Sequence, residues 1–403
     1  MKHLVWYNQA QFCALLLMAA AMPLSFHIGI WTAALLALTS TVKLVAERHI
    51  GNPSLTTAGR VALLAPIAYV ALLAASLLWS SDLQTGMDTL WLKATLLVAP
   101  LCLLLTDTSY LSSGHLRAMG YALLLAVVGV FLWFAGRAGL HMLEGSTFAA
   151  VTGISFDPRH HSYTALYATV CMAFVYREMT AEKHRKGLLV AMAVAMAMLV
   201  CYVVLVNSRA GMLAMGMTLA ACVLHFAFTR RRLWLTLAVA VAAAGLVTAA
   251  TQLLPGYTDR LSTTLENVQN DARTKITRGA WETAKENLWI GQGVGDYRER
   301  LVANYEATDF ESGGNARYNA HNQYMESLVS TGMVGLATLL AMLLAPLWAT
   351  CKGCRREWFF VALCTAIVML NLLFESMLER QMGLIFIGFL LAALSLVPSR
   401  RAQ

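Results

Sequence analysis

Residues 187–206 read GLLVAMAVAMAMLVCYVVLV, twenty consecutive positions without a charged side chain. At about 1.5 Å of rise per residue, a helix of that length crosses the roughly 30 Å hydrocarbon core of a bilayer. A helix is also the form that satisfies every backbone hydrogen bond of such a run away from water, so no strands are expected. Apolar runs of this kind recur along the chain. Breaks at Gly, Pro and charged residues delimit twelve expected spans, near 10–26, 28–46, 61–79, 89–106, 118–136, 163–179, 187–206, 210–228, 233–254, 322–348, 358–374 and 381–398. Of 403 residues, 58% are hydrophobic and 13% charged, and the mean hydropathy is +0.60, which excludes a soluble protein, a disordered chain and a disulfide scaffold. The expected class is an all-α polytopic membrane protein of about twelve transmembrane helices. The expected organisation is nine helices in residues 1–254, a large outer loop containing short helices in 255–321, and three helices in 322–403.

The formal charge is +8, but the basic residues are spread over many short connections. Seventeen Lys and Arg fall at the termini and in one set of gaps, whereas the opposite short loops hold five: Lys93, Arg137, Arg159, Arg209 and Arg380. The positive-inside rule therefore puts both termini in the cytoplasm and the long loop outside. The surplus is read as a topology signal, with anionic membrane lipids and not nucleic acid as partners. Six of the eight cysteines sit in apolar runs as small hydrophobes, and Cys351-x-x-Cys354 lacks a second pair or histidine to complete a zinc set. No cleavable signal peptide, internal repeat or low-complexity tract is evident.

Residues able to do chemistry fall on the expected outer side. Arg209, in Asn207-Ser208-Arg209-Ala210-Gly211, opens a helix after a very short turn; an arginine there either snorkels to headgroups or holds an anion. Arg278 lies in a stretch whose Ile276, Ala280, Ala284 and Leu288 recur every four positions beside Trp281, which predicts an amphipathic helix on or near the membrane surface ended by Gly291. His321, in Asn319-Ala320-His321-Asn322-Gln323-Tyr324, stands where the long loop enters a span; it is either a hydrogen-bonded boundary residue or a proton acceptor. Arg159, His160 and His161 supply further polar groups from the smaller outer loop. Glu375 could orient a histidine, accept from a sugar hydroxyl or pair with Arg278 or Arg380, while Glu379 and Arg380 are expected in solvent. Gly291-Gln292-Gly293-Val294-Gly295 lacks the lysine of a phosphate loop and is read as a tight turn. With no nucleotide-binding signature on the cytoplasmic side, a donor must arrive already activated. A polyprenyl diphosphate fits, with its tail between helices and its oxygens held by guanidinium forks.

The order Ser208-Arg209, then Arg278 with Trp281 and Gly291 to Tyr297, then His321-Asn322-Gln323-Tyr324 with Gly332 to Gly335, resembles the O-antigen ligase family. The likeness runs from about Gly187 to the C-terminus. The wider superfamily, which also holds O-antigen polymerases and protein O-oligosaccharyltransferases, shares these elements; the five residues after Pro398 favour the ligase, because the protein-glycosylating relatives carry more chain there. The proline usual before the Gly-rich turn is replaced by Trp289-Ile290. The resemblance implies transfer of O-antigen polysaccharide from undecaprenyl diphosphate to lipid A-core oligosaccharide, at the periplasmic face of the bacterial inner membrane. It implies Arg209 and Arg278 on the diphosphate, with Ser208 beside them, and an essential His321 as general base or, as imidazolium, as a diphosphate ligand. Arg159, His160, His161, Asn322, Tyr324 and Glu375 are further candidates to touch substrate. No metal or other cofactor is expected. A polymerase using the same donor, or a lipid or polysaccharide transporter without covalent chemistry, are the competing expectations.

Overall fold

The structure, a computed structural model, describes residues 2–147, 160–181, 186–230, 272–307, 317–353 and 357–397. Among these residues all regular structure is helical. The helices are α1 (Lys2–Leu24), α2 (Phe26–Glu47), α3 (Thr57–Ala75), α4 (Leu83–Ala94), α5 (Val98–Leu105), α6 (Ser113–Leu143), α7 (His161–Thr180), α8 (Lys186–Val206), α9 (Arg209–Arg230), α10 (Ala272–Glu286), α11 (Tyr297–Ala307), α12 (Gln323–Gly353), α13 (Trp358–Phe374) and α14 (Gln381–Leu396). Seven stretches of the described chain are long and apolar enough to cross a membrane, and α13 and α14 are shorter apolar helices. The protein is an all-α polytopic membrane protein. The expected spans 10–26 and 163–179 fall in α1 and α7, whereas 233–254 lies outside the described residues.

The chain divides into two compact units, one formed by Met1–Val127 with Ile276–Gln403 and the other by Val128–Lys275. In the first unit, α14 packs against α2, α3, α5 and α12. It is apolar on every side and buried along nearly its whole length, as a helix without a polar face must be. Its neighbour, expected as one continuous span over 89–106, is α4 and α5 joined by a 3-10 turn, Thr95–Leu97. The cause is local: Pro100 has no N–H to give to the Leu96 carbonyl. At that turn α14 crosses so closely that a Cβ on Gly388 would lie 2.3 Å from the Leu96 oxygen.

Two lysines expected among the loop charges are buried in this unit, Lys43 on α2 and Lys93 on α4. In the second unit α7 packs against α8 and α9. Gly211 permits the α7–α9 approach, since a Cβ there would meet the Ala165 methyl at 2.3 Å.

Candidate functional site

Helix α12 is broken near its start. Thr331 and Gly332 leave helical geometry, with Gly332 at φ 66°. A broken ladder inside a membrane helix needs other partners, and the approach to the Gly-rich turn supplies them. The amides of Gln292 and Gly293 donate to the Val329 and Ser330 carbonyls, each at 2.9 Å, and those of Met333 and Val334 donate to the Leu288 and Trp289 carbonyls at 2.8 and 3.3 Å. Gly291, at φ 70°, and Gly332 are needed for this contact: a Cβ on either would come within 2.5 Å of the opposing backbone. The segment is thus a tight turn, as read, and one that patches a helix. Further along, the Asp296 carboxylate accepts from the amides of Ser81 and Asp82 at 2.7 and 2.8 Å. Burial pushes that carboxyl up, but these hydrogen bonds outweigh it and hold it below the usual aspartate range.

The turn before α12 carries His321. Asn322 caps the helix, its Oδ1 accepting from the amides of Tyr324 and Met325 at 2.9 and 3.2 Å. Asn319 Oδ1 accepts from the His321 amide at 3.1 Å, and His321 is held at φ 44°, a left-handed conformation uncommon for a residue with a side chain. Its half-exposed ring has Nδ1 3.5 Å from Oε1 of the buried Glu375, and Tyr318 meets it edge-on. Of the roles expected for Glu375, the geometry provides the contact to a histidine. The Tyr324 hydroxyl donates to the Met369 carbonyl on α13 at 2.8 Å.

The turn after Glu375 corrects one expectation. Glu379, read as solvated, is buried; Arg380 is exposed. The 3-10 turn Met377–Glu379 folds the carboxylate inward, where Lys93 ion-pairs with Oε1, Gln323 Nε2 donates to it at 3.2 Å, and the Tyr297 hydroxyl donates to Oε2 at 3.0 Å. Arg298 stands 3.5 Å from Oε2. Burial alone would raise the Glu379 pKa; the Lys93 charge and hydrogen bond, aided by Arg298, reverse this and hold it below the ordinary carboxylate value. The same burial, with the Glu379 charge, pushes the Tyr297 phenol well up. Gln323 and Lys93 also fix the turn's backbone at Leu378, with contacts of 2.7 and 2.6 Å. Beside this bracket, Glu326 Oε2 accepts from the Ala320 amide at 2.8 Å and the Ser376 hydroxyl at 3.2 Å. Lys93, Arg298, Tyr297, Glu326 and Ser376 were not among the expected site residues. The available signal was a charge inside an apolar run, at Lys93 and Glu326.

Helix α10 forms at the predicted register, with Ile276, Ala280 and Ala284 buried. This face is covered by Tyr297, Leu301 and Tyr305 of α11, together with Ala320, Leu328 and Val329. Trp281 and Trp289 are exposed. Arg278 is exposed and has no carboxylate partner among the described residues, and its helix shares its buried cluster with Ala320, next to His321.

In the second unit, α8 ends on Asn207 at φ 56°, and Ser208 caps α9, its Oγ accepting from the Gly211 amide at 3.2 Å. Arg209 follows as the first residue of α9, exposed and without a carboxylate partner among the described residues. The positive end of the helix dipole adds to its charge there. His161 Nδ1 donates to the Val206 carbonyl at 2.8 Å, which ties the start of α7 to this turn, and His160 is the residue before α7. Arg159 lies outside the described residues.

The first unit thus presents an exposed guanidinium, Arg278, and a half-exposed imidazole against a carboxylate, and the second unit by itself presents the exposed Arg209 at the start of an apolar helix. Residues 193–340 match the family model described as O-antigen ligase. That segment includes Arg209, Arg278 and His321, so over this part of its length the chain is similar to the O-antigen ligase family. Comparison with curated proteins returned no match.

Proposed function

We propose that the protein is an O-antigen ligase, a metal-independent glycosyltransferase that moves O-antigen polysaccharide from undecaprenyl diphosphate to lipid A-core oligosaccharide at the periplasmic face of the inner membrane, with both termini cytoplasmic. The observation that supports this most is His321: a half-exposed imidazole whose Nδ1 faces Glu375, on a strained turn in the family-matched segment. With Nδ1 set against the carboxylate, Nε2 is the ring nitrogen left to face the acceptor hydroxyl. In the proposed step the acceptor hydroxyl oxygen attacks the anomeric carbon of the donor sugar. The bond from that carbon to the diphosphate oxygen breaks, undecaprenyl diphosphate leaves, and the hydroxyl proton passes to His321 Nε2. Arg209 and Arg278 are the proposed diphosphate ligands, since each guanidinium lacks an internal counter-ion among the described residues and can stabilise the charge that grows on the leaving group.

The test is reconstitution of the purified protein in vesicles with undecaprenyl-diphosphate-linked O-antigen and lipid A-core. Full-length lipopolysaccharide is expected from the wild type and none from His321→Ala, which still binds donor. Growth of the lipid-linked chain without transfer to lipid A-core would assign the polymerase instead. Movement of donor across the vesicle without a new glycosidic bond would assign a transporter.

A further inference from the structure

Glu326 is 2% exposed, one turn into an apolar helix, in a place where a leucine would carry no desolvation cost. Its Oε2 alone receives two hydrogen bonds, from the Ala320 amide at 2.8 Å and from the Ser376 hydroxyl at 3.2 Å. Those donors belong to two chain segments far apart in sequence. Ala320 precedes His321, and Ser376 follows Glu375. One oxygen therefore ties together the backbone that carries the imidazole and the turn that carries its carboxylate. The Lys93–Glu379 bracket fixes the far end of that turn, at 378–379, and meets the chain at Gln323, on the C-terminal side of His321. The left-handed φ of His321 needs an anchor on its N-terminal side, because the surroundings must hold a strained residue in place.

We propose that Glu326 is a positioning residue that keeps His321 and Glu375 in register through this shared oxygen. The proposal rests on the glycosyltransferase reading for its effect on turnover. Its geometry can be tested without substrate.

Two readouts on the full-length protein decide it. The first is the rate at which diethyl pyrocarbonate modifies His321, followed on the His321 peptide by mass spectrometry. The second is transfer, measured as kcat and donor KM. In Glu326→Ala, His321 is expected to react several-fold faster. The turnover number is expected to fall by about 100-fold, the order seen for a 1 Å misplacement, with donor KM little changed. In the Glu326→Ala, Glu375→Gln double variant the losses should not multiply, because both substitutions break one contact. Glu326→Gln keeps an acceptor oxygen and is expected to recover about tenfold of the loss. Ser376→Ala removes one of the two bonds and should fall between. Losses that multiply, or a His321 modification rate unchanged in Glu326→Ala, overturn the proposal. If Glu326→Ala does not fold, the wild-type modification rate in Ser376→Ala overturns it in its place. If the wild type transfers no glycan, the ligase reading fails on its own, and the modification rates still decide the role of Glu326.

Discussion

The first unit buries two lysines, and they are surrounded differently. Lys43 is fully enclosed: its ammonium donates to Gln11 Oε1 at 3.0 Å and to the Asp107 carbonyl, lies 3.5 Å from Glu47, and sits 4.1 Å above the Tyr110 ring. Gln11 is itself completed by Ser40, Thr106 and Tyr110. Every group there has its partner within the cluster, and the cluster joins α1, α2 and the end of α5. Lys93 is as well paired, but the turn it holds begins at Glu375, which faces a half-exposed histidine on a strained backbone. The difference separates architecture from site. A polar cluster closed on itself fixes helices, while one that leads outward to a half-exposed imidazole on a strained backbone is where the proposed chemistry would take place.

The largest effect that would break this comparison is at His321, the proposed base. His321→Ala is expected to reduce transfer by at least about 100-fold, the lower range for loss of a general base, with donor binding retained. Measured ligation near the wild-type rate would make the Lys93 side architecture too. Lys93→Met comes next. Removing one partner of a buried pair leaves Glu379 uncompensated and is expected to cost about 3–5 kcal/mol of stability in detergent denaturation. Lys43→Met should destabilise comparably, yet the protein that remains folded should transfer at the wild-type rate, whereas folded Lys93→Met should not. Equal specific activities in the two variants would erase the distinction drawn here.

Glu379 gives this contrast a pH dependence. Its carboxyl is depressed in the fold, so its ionisation stabilises the protein above the carboxylate's unfolded pKa, and that contribution is lost as the pH falls through the lower folded value. Acid unfolding of the wild type should therefore include a step below the ordinary glutamate range. In Glu379→Gln that step should be missing, which denaturation curves at successive pH values would show.

Smaller changes are expected at the arginines. Arg278→Lys and Arg209→Lys keep the charge but lose the fork, and each is expected to cost about tenfold in kcat/KM. Wild-type kinetics in both would mark them as headgroup anchors.

Most of the helical plan was legible because a bilayer demands about 20 apolar residues per crossing, a demand that a run such as 187–206 displays openly. The register of α10 was legible too, since Ile276, Ala280 and Ala284 repeat with the helical period. What covers that face was not, because periodicity identifies an apolar stripe without naming its partner. Glu379 was misread for a related reason: a charge in a short turn between helices looks solvated unless one knows that Lys93, more than 280 residues earlier, lies opposite it. The break in α12 was hidden similarly. Gly332 marks a weak point in the run, but only the docked 288–293 segment explains why the helix opens there.

The smallest predicted effect tests how far the site extends along α12. Tyr324 stands three residues after His321, and its hydroxyl is a reasonable group to expect against a sugar. In the structure that hydroxyl donates to the Met369 carbonyl at 2.8 Å, a bond that pins the first turn of α12 to α13. Tyr324→Phe removes the donor and leaves the ring. Because the Met369 carbonyl is in a helix and already serves its ladder, the loss should be only that of one ordinary hydrogen bond, about 1 kcal/mol of stability. Transfer kinetics should be unchanged. A fall in kcat/KM without a matching loss of stability would mean that the hydroxyl reaches substrate during turnover, and the boundary between the closed framework and the outward-facing site would then have to be drawn one helical turn deeper.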